Sequence, residues 1–143
     1  MQRKLPALNA DNTPFWQGGA QGLLNICHCA ACQRFFHPPS PVCPHCQSQS
    51  VGPRAVSGLG KVVSFTINHQ AWVPALEVPF VVAIVELQEQ AGLRFVSNVV
   101  GCAPTSVAIG MPVQVRFEQV EDVWIPLFEP AVPVEPSTSG SAA

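Results

Sequence analysis

Four cysteines in two close pairs, Cys29-Ala-Ala-Cys32 and Cys43-Pro-His-Cys46, with ten residues between the pairs, restrict this chain more than any other feature. Two residues between cysteines make a tight turn that aims both sulfurs at one point. Two such knuckles offer four soft ligands to a single tetrahedral ion. A closed set of four thiolates leaves no position for water, so the spacing predicts a structural Zn2+ on Cys29, Cys32, Cys43 and Cys46 rather than a catalytic metal. Iron in a rubredoxin-like site would use the same four sulfurs. Disulfides are the competing use of such cysteines, and they belong to oxidising compartments. The start MQRKLPALNAD lacks the apolar run of a secretory signal, and no later stretch approaches the ~18–20 apolar residues of a membrane helix. A cytoplasmic location without a membrane is therefore expected, and in a reducing compartment the paired cysteines read as metal ligands.

The remaining thiols and the histidines are weighed against that site. Cys27 competes with Cys29, but only Cys29 stands two residues from Cys32, and Cys102 reads as a small buried apolar side chain. His28, His37 and His45 crowd the region. With four thiolates present no histidine is required, so these three are expected to face solvent or bond to main chain. A Cys–His nucleophile is not expected, because thiolates on zinc are neutralised and neither free cysteine has a histidine nearby with a third group to orient it.

Outside the cysteines the text divides into a lead, a ribbon, a barrel and a tail. Leu5–Leu24 predicts a short helical lead with Thr13 as cap, Pro14 in the first turn, and Phe15, Trp16 and Leu23 as anchors. Gly18-Gly19 weakens a long helix there. From Ile26 to Gln49, Pro38, Pro39, Pro41 and Pro44 prevent regular helix, so the metal has to organise this segment. After Arg54 the period becomes two: Val63, Phe65 and Ile67 alternate with Ser64, Thr66 and Asn68. Phe80–Leu87 is apolar nearly throughout, which predicts a central strand covered on both faces, and Gln88–Gly92 turns it into a second strand over Leu93–Val100. Val113, Val115 and Phe117 alternate in another strand, and Val123–Phe128 supplies the last. Some five strands with no helical crossover predict a small closed antiparallel barrel such as an OB-fold. The expected boundaries are 1–24 for the lead, 25–52 for the zinc ribbon, 53–130 for the barrel and 131–143 for a flexible tail rich in Pro, Ser, Gly and Ala.

Charge narrows the function. Only 11% of the residues are charged while 48% are hydrophobic, and two of the seven cations, Arg3 and Lys4, sit at the start. So few charges point to an apolar surface that serves as a partner face, with Phe15, Trp16, Trp72 and Trp124 either in that face or in the core. Zinc ribbons and OB barrels also bind single-stranded nucleic acid through basic grooves. Here Arg54, Lys61, Arg94 and Arg116 stand against Glu77, Glu86, Glu89, Glu118, Glu121, Asp122 and Glu129, which opposes phosphate binding. A stand-alone acyl-CoA-binding protein or enzyme would rest on Glu121-Asp122 or His69, and the adjacent carboxylates read more simply as a solvated hairpin turn. No catalytic residue is assigned.

The ordered text resembles the thiolase-associated family of paired rubredoxin-like zinc-ribbon and OB-fold proteins, long filed as a domain of unknown function. The matching pieces are Phe15-Trp16, Cys29-x-x-Cys32 with Phe36-His37-Pro38-Pro39, Cys43-Pro44-x-Cys46, Ser57 through Thr66 (SGLGKVVSFT), Pro79 through Ala83 (PFVVA), Ile109-Gly110 with Val113, and Pro126-Leu127-Phe128. They run in order over roughly residues 13–130. The resemblance implies an N-terminal helix, a ribbon and an OB-fold in a hetero-oligomer with a thiolase-like, sterol-carrier-protein-type subunit that holds the chemistry. It implies acyl-CoA thioesters at or near the interface, and carbon–carbon bond formation, acyl transfer or retro-aldol cleavage of steroid side chains as the reaction. Phe15 and Trp16 are the candidate interface residues. Ser40 departs from the family text, where arginine often follows the proline pair, so no anion contact is expected from it.

Overall fold

The computed structural model describes residues 4–72 and 77–131. The expected tail beyond Ala131 lies outside the described residues. Helix α1 spans Thr13–Gln17, and a 3-10 turn follows over Gly18–Gln21. A three-stranded sheet comes next, from β1 (Leu24–Cys29), β2 (Phe35–Phe36) and β3 (Val51–Val56), in the order β2-β1-β3. The last five strands are β4 (Leu59–Asn68), β5 (Phe80–Leu87), β6 (Arg94–Val99), β7 (Pro112–Val120) and β8 (Val123–Pro130). They close a barrel in the order β4-β5-β6-β8-β7.

The lead is far shorter than Leu5–Leu24. Asn12, not Thr13, is the N-cap, and it makes no side-chain cap bond. Asn9 organises the entry instead, its Oδ1 accepting the N–H groups of Asp11 and Asn12 at 2.9 Å each. The 3-10 turn stops at Gly22, whose φ of 74° is a left-handed conformation that side chains resist. Leu23, expected as an anchor, is exposed, because the turn has swung it away before Leu24 enters the core.

The barrel core is built from alternate residues. In β5, Val81, Ala83, Val85 and Leu87 are buried while Ile84 reaches solvent, so this strand is covered on one face, not two. A bulge between Val62 and Ser64 in β4 shifts the alternation and buries Val62 completely. Most neighbours are antiparallel, but β6 runs parallel to β8 and meets it at one register position, Val99↔Phe128. This corrects the all-antiparallel expectation: strands that are not joined by a hairpin are free to close a barrel in parallel.

Besides that register position, Ser97 in β6 donates its hydroxyl to the Pro126 carbonyl in β8 at 2.8 Å. Helix α1 packs against β8, and Phe15 and His37 meet Phe95 of β6. Phe15 is 4% exposed and stands edge-on to both Trp16 and Phe95, with ring centroids 4.9 and 6.1 Å away. Gln17 ties the helix to the β7–β8 turn by donating to the Asp122 carbonyl at 3.0 Å. Glu121 and Asp122 lie in that turn, as expected for a solvated hairpin.

Candidate metal centre and the joint beside it

The four cysteines converge. Their sulfurs all lie within 4.8 Å of one another, with Cys29–Cys46 at 3.6 Å and Cys32–Cys43 at 3.7 Å. Zinc–sulfur bonds of about 2.3 Å in a tetrahedron set the sulfurs about 3.8 Å apart, so the observed spacing fits the ion. The donor chemistry fits as well: four closed thiolates make a structural site.

Both knuckles fold by the same local rule. The Cys29 N–H donates to the Arg34 carbonyl and the Gln33 N–H returns to the Cys29 carbonyl, both at 2.8 Å. In the second knuckle the Cys43 N–H donates to Ser48 at 2.9 Å and the Gln47 N–H to Cys43 at 2.8 Å. Gln33 and Gln47 hold equivalent left-handed positions, with φ of 61° and 66°. The repeated Cys-x-x-Cys-Gln text was the available signal for this pairing. Main-chain donors also face sulfur, from Cys32 to Cys29 at 3.5 Å and from His45 to Cys43 at 3.3 Å.

Without a cation these thiols cannot all ionise together. The N–H of Cys32 helps to hold Cys29 down to about 7, whereas burial pushes Cys32 up to about 12. A divalent ion removes that conflict by balancing half of the thiolate charge. Cys27 is buried beside the cluster but outside the ligand set, and burial raises its thiol above the ordinary value. Cys102 is half-buried against the barrel core rather than sealed in it.

Of the three histidines, His45 is exposed as expected, His28 is half-buried, and His37 departs from the expectation. His28 meets Arg54 at 3.4 Å and the Phe35 ring at 4.7 Å, and His45 meets Arg34 at 3.4 Å. None of these contacts is a main-chain bond. His37 is wedged between Phe15 and Phe95, at centroid distances of 4.7 and 5.3 Å. Burial among these rings lowers its pKa to about 4. It therefore joins ribbon, helix and barrel through one side chain.

A second joint escaped sequence reasoning altogether. Gln90, in the β5–β6 turn, accepts the Phe35 N–H and donates to the Phe35 carbonyl, both at 2.9 Å. Its amide thus imitates a strand partner for β2. Next to it, Glu89 accepts the Ser57 N–H at 2.8 Å. From the sequence, Gln88–Gly92 signals only a reversal of the chain.

Known proteins share this arrangement. Residues 16–52 match the ChsH2 rubredoxin-like zinc ribbon domain, and residues 53–118 the ChsH2 C-terminal OB-fold domain. A probable enoyl-CoA hydratase alpha subunit of Thermomonospora curvata is 43% identical over 136 residues, covering 94% of this chain and 42% of that protein. A 3-oxo-4,17-pregnadiene-20-carboxyl-CoA hydratase alpha subunit of Mycobacterium tuberculosis is 36% identical over 125 residues, or 87% of this chain and 39% of that protein. The chain thus spans about two fifths of the length of these two relatives. The solved structure described as Ltp2-ChsH2(DUF35) aldolase matches with a TM-score of 0.80 and 43% identity, over 90% of this chain and 100% of that one. With its four-cysteine ribbon and closed five-stranded barrel, this chain belongs to the ChsH2 (DUF35) family of rubredoxin-like zinc-ribbon and OB-fold proteins.

Proposed function

We propose that this chain is a non-catalytic accessory subunit of a thiolase-like, sterol-carrier-protein-type enzyme acting on acyl-CoA thioesters, with retro-aldol cleavage of a steroid side chain as its reaction. The observation that carries the reading is the match to the whole of a solved DUF35 chain whose description joins it to a second protein, Ltp2, in an aldolase. Two relatives named as alpha subunits of CoA-thioester hydratases agree with work in a multi-protein acyl-CoA complex. The zinc site supports folding rather than chemistry, because its four sulfurs complete the tetrahedron.

The partner face is assigned to Trp16 and to the outer surface of β5 and β6. Ile84 and Val96 are direct cross-strand partners there, and Val96 is 63% exposed. Phe15, buried beneath Trp16, supports that face from inside. Charges near it are already matched, as Arg94 donates to Glu86 at 2.8 Å. Such a face suits an apolar protein surface and not phosphates. The nucleic-acid reading gains nothing from the structure, since Arg116, at 3.5 Å from Glu129, is also paired.

Co-expression with a thiolase-like subunit from the same source, followed by affinity capture and gel filtration, tests the proposal. The expected result is a stable complex that cleaves a steroid acyl-CoA, and its loss with Val96→Asp. Recovery of the zinc-loaded chain alone, with cleavage unaffected by its addition, overturns the reading.

A further inference from the structure

The barrel closes with a seam. Strands β6 and β8 pair at Val99↔Phe128, and a cleft of about 510 Å3 is bordered by Val96 and Ser97 of β6, by Ile125 and Pro126 of β8, and by Trp16 and Pro38. Hydrogen-bond alternation shows which main-chain groups face it. The Leu87 N–H donates to the Leu93 carbonyl at 2.8 Å, so the β5–β6 register makes Val85↔Phe95, Ala83↔Ser97 and Val81↔Val99 the bonded pairs. Val96, opposite Ile84, falls between them, and its N–H and C=O point away from β5 toward β8. On the other side the Ala131 N–H donates to the Pro112 carbonyl at 3.0 Å, so Ile125, Leu127 and Glu129 bond to β7 while Pro126 and Phe128 face β6. The Val100 N–H, donating to the Phe128 carbonyl at 2.8 Å, agrees with both counts.

Pro126 stops the ladder. One rung before Val99↔Phe128, a parallel pairing would set Ser97 opposite residue 126 and have the Val96 carbonyl accept the N–H of that residue. Proline has none. The Pro126 carbonyl is engaged as well, by the Ser97 hydroxyl at 2.8 Å. The Val96 carbonyl is thus left without a donor from β8, on a residue that is 63% exposed. A strand edge of this kind is a template for another extended chain.

We propose that a short extended segment of the partner subunit adds to the β6 edge at this seam, its N–H donating to the Val96 carbonyl and its own carbonyl accepting the Val96 N–H. Its side chains are apolar, because Trp16, Pro38 and Ile125 line the cleft and Arg94 is already matched by Glu86. The occupant is that subunit because the seam is continuous with the face assigned to it, where the Val96 side chain stands beside Ile84. This pairing rests on the accessory role but is separable from it, since a complex can form with the seam left empty.

Hydrogen exchange of the zinc-loaded full chain, read amide by amide before and after assembly with the co-expressed thiolase-like subunit, tests the pairing. In the free chain Val96 should exchange rapidly while Phe95 and Ser97, bonded to β5, are protected, and in the complex Val96 should slow at least tenfold. Val96→Pro removes the N–H where the barrel does not use it, so zinc content and the amide spectrum of β4–β8 should persist. Its affinity for the subunit should be about fivefold below that of Val96→Ala, which keeps the main chain, as for loss of one neutral hydrogen bond. If Val96→Pro does not fold, the exchange of the wild-type amide decides. A stable complex in which Val96 exchanges as fast as before overturns the pairing and leaves the accessory role standing, whereas failure to form any complex overturns both. Equal affinities of the two variants also overturn it. So does protection of Val96 already in the free chain, a dimer on gel filtration then identifying a second copy as the occupant and a monomer the chain's own residues.

Discussion

Acid should weaken this fold through one half-buried ring. His37 titrates near 6.5 when unfolded and near 4 in its place between Phe15 and Phe95, burial being the cause. The folded value is the lower one, so the unfolded chain takes up the proton first as pH falls. The contribution is fully present above about pH 6.5 and disappears progressively as pH drops toward 4. Between pH 7.5 and pH 5.0 that linkage removes about 2 kcal/mol of stability. With a urea slope of about 2 kcal/mol per molar, the unfolding midpoint should fall by about 1 M. His37→Phe keeps the aromatic volume and deletes the titration, so its midpoint should respond less to pH by that amount. Urea unfolding of both proteins, followed by circular dichroism at the two pH values, isolates the term because the zinc thiolates are common to both. Identical pH dependence in wild type and variant would refute the reasoning.

Other consequences concern the metal, the joint and the barrel closure. Phe36 is the one fully buried side chain other than cysteine in the ribbon cluster, worth about 2–3 kcal/mol, against about 10–16 kcal/mol for a structural zinc. Chelation, or Cys43→Ser, should therefore release residues 29–50 to fast hydrogen exchange while β4–β8 stay protected by their own core. Protection retained after zinc has left would contradict this. Gln90→Ala removes both bonds to the Phe35 main chain and should cost about 1–3 kcal/mol, with faster exchange confined at first to β2 and its surroundings. A Cβ at Gly19 would collide with the Trp124 Cβ and the Phe117 ring, so Gly19→Ala should destabilise by about 1–3 kcal/mol in thermal melts and loosen α1.

Much of the centre was legible because its chemistry is local. Two residues between cysteines define a knuckle wherever the rest of the chain goes, and Cys29, Cys32, Cys43 and Cys46 meet as the spacing required. Strands β4 to β8 were legible for a similar reason: a two-residue period states which side chains seek the interior, and β7 and β8 meet through a turn at Glu121-Asp122. The extent of the lead is not legible in the same way, because propensity describes an isolated helix, whereas Thr13–Gln17 is held by the burial of Phe15 and the clasp of Gln17.

Cys-x-x-Cys spacing and strand alternation were enough to determine a four-sulfur ribbon followed by a closed barrel. Only the tertiary structure decided that Gln90 would act as a strand for Phe35, 55 residues away, that β6 and β8 would close in parallel, and that His37 would stand between Phe15 and Phe95. Such contacts carry no periodicity, because they depend on where two folded units come to rest against each other. A histidine followed by two prolines reads the same in solvent as between two aromatic rings, and burial alone lowers its pKa to about 4.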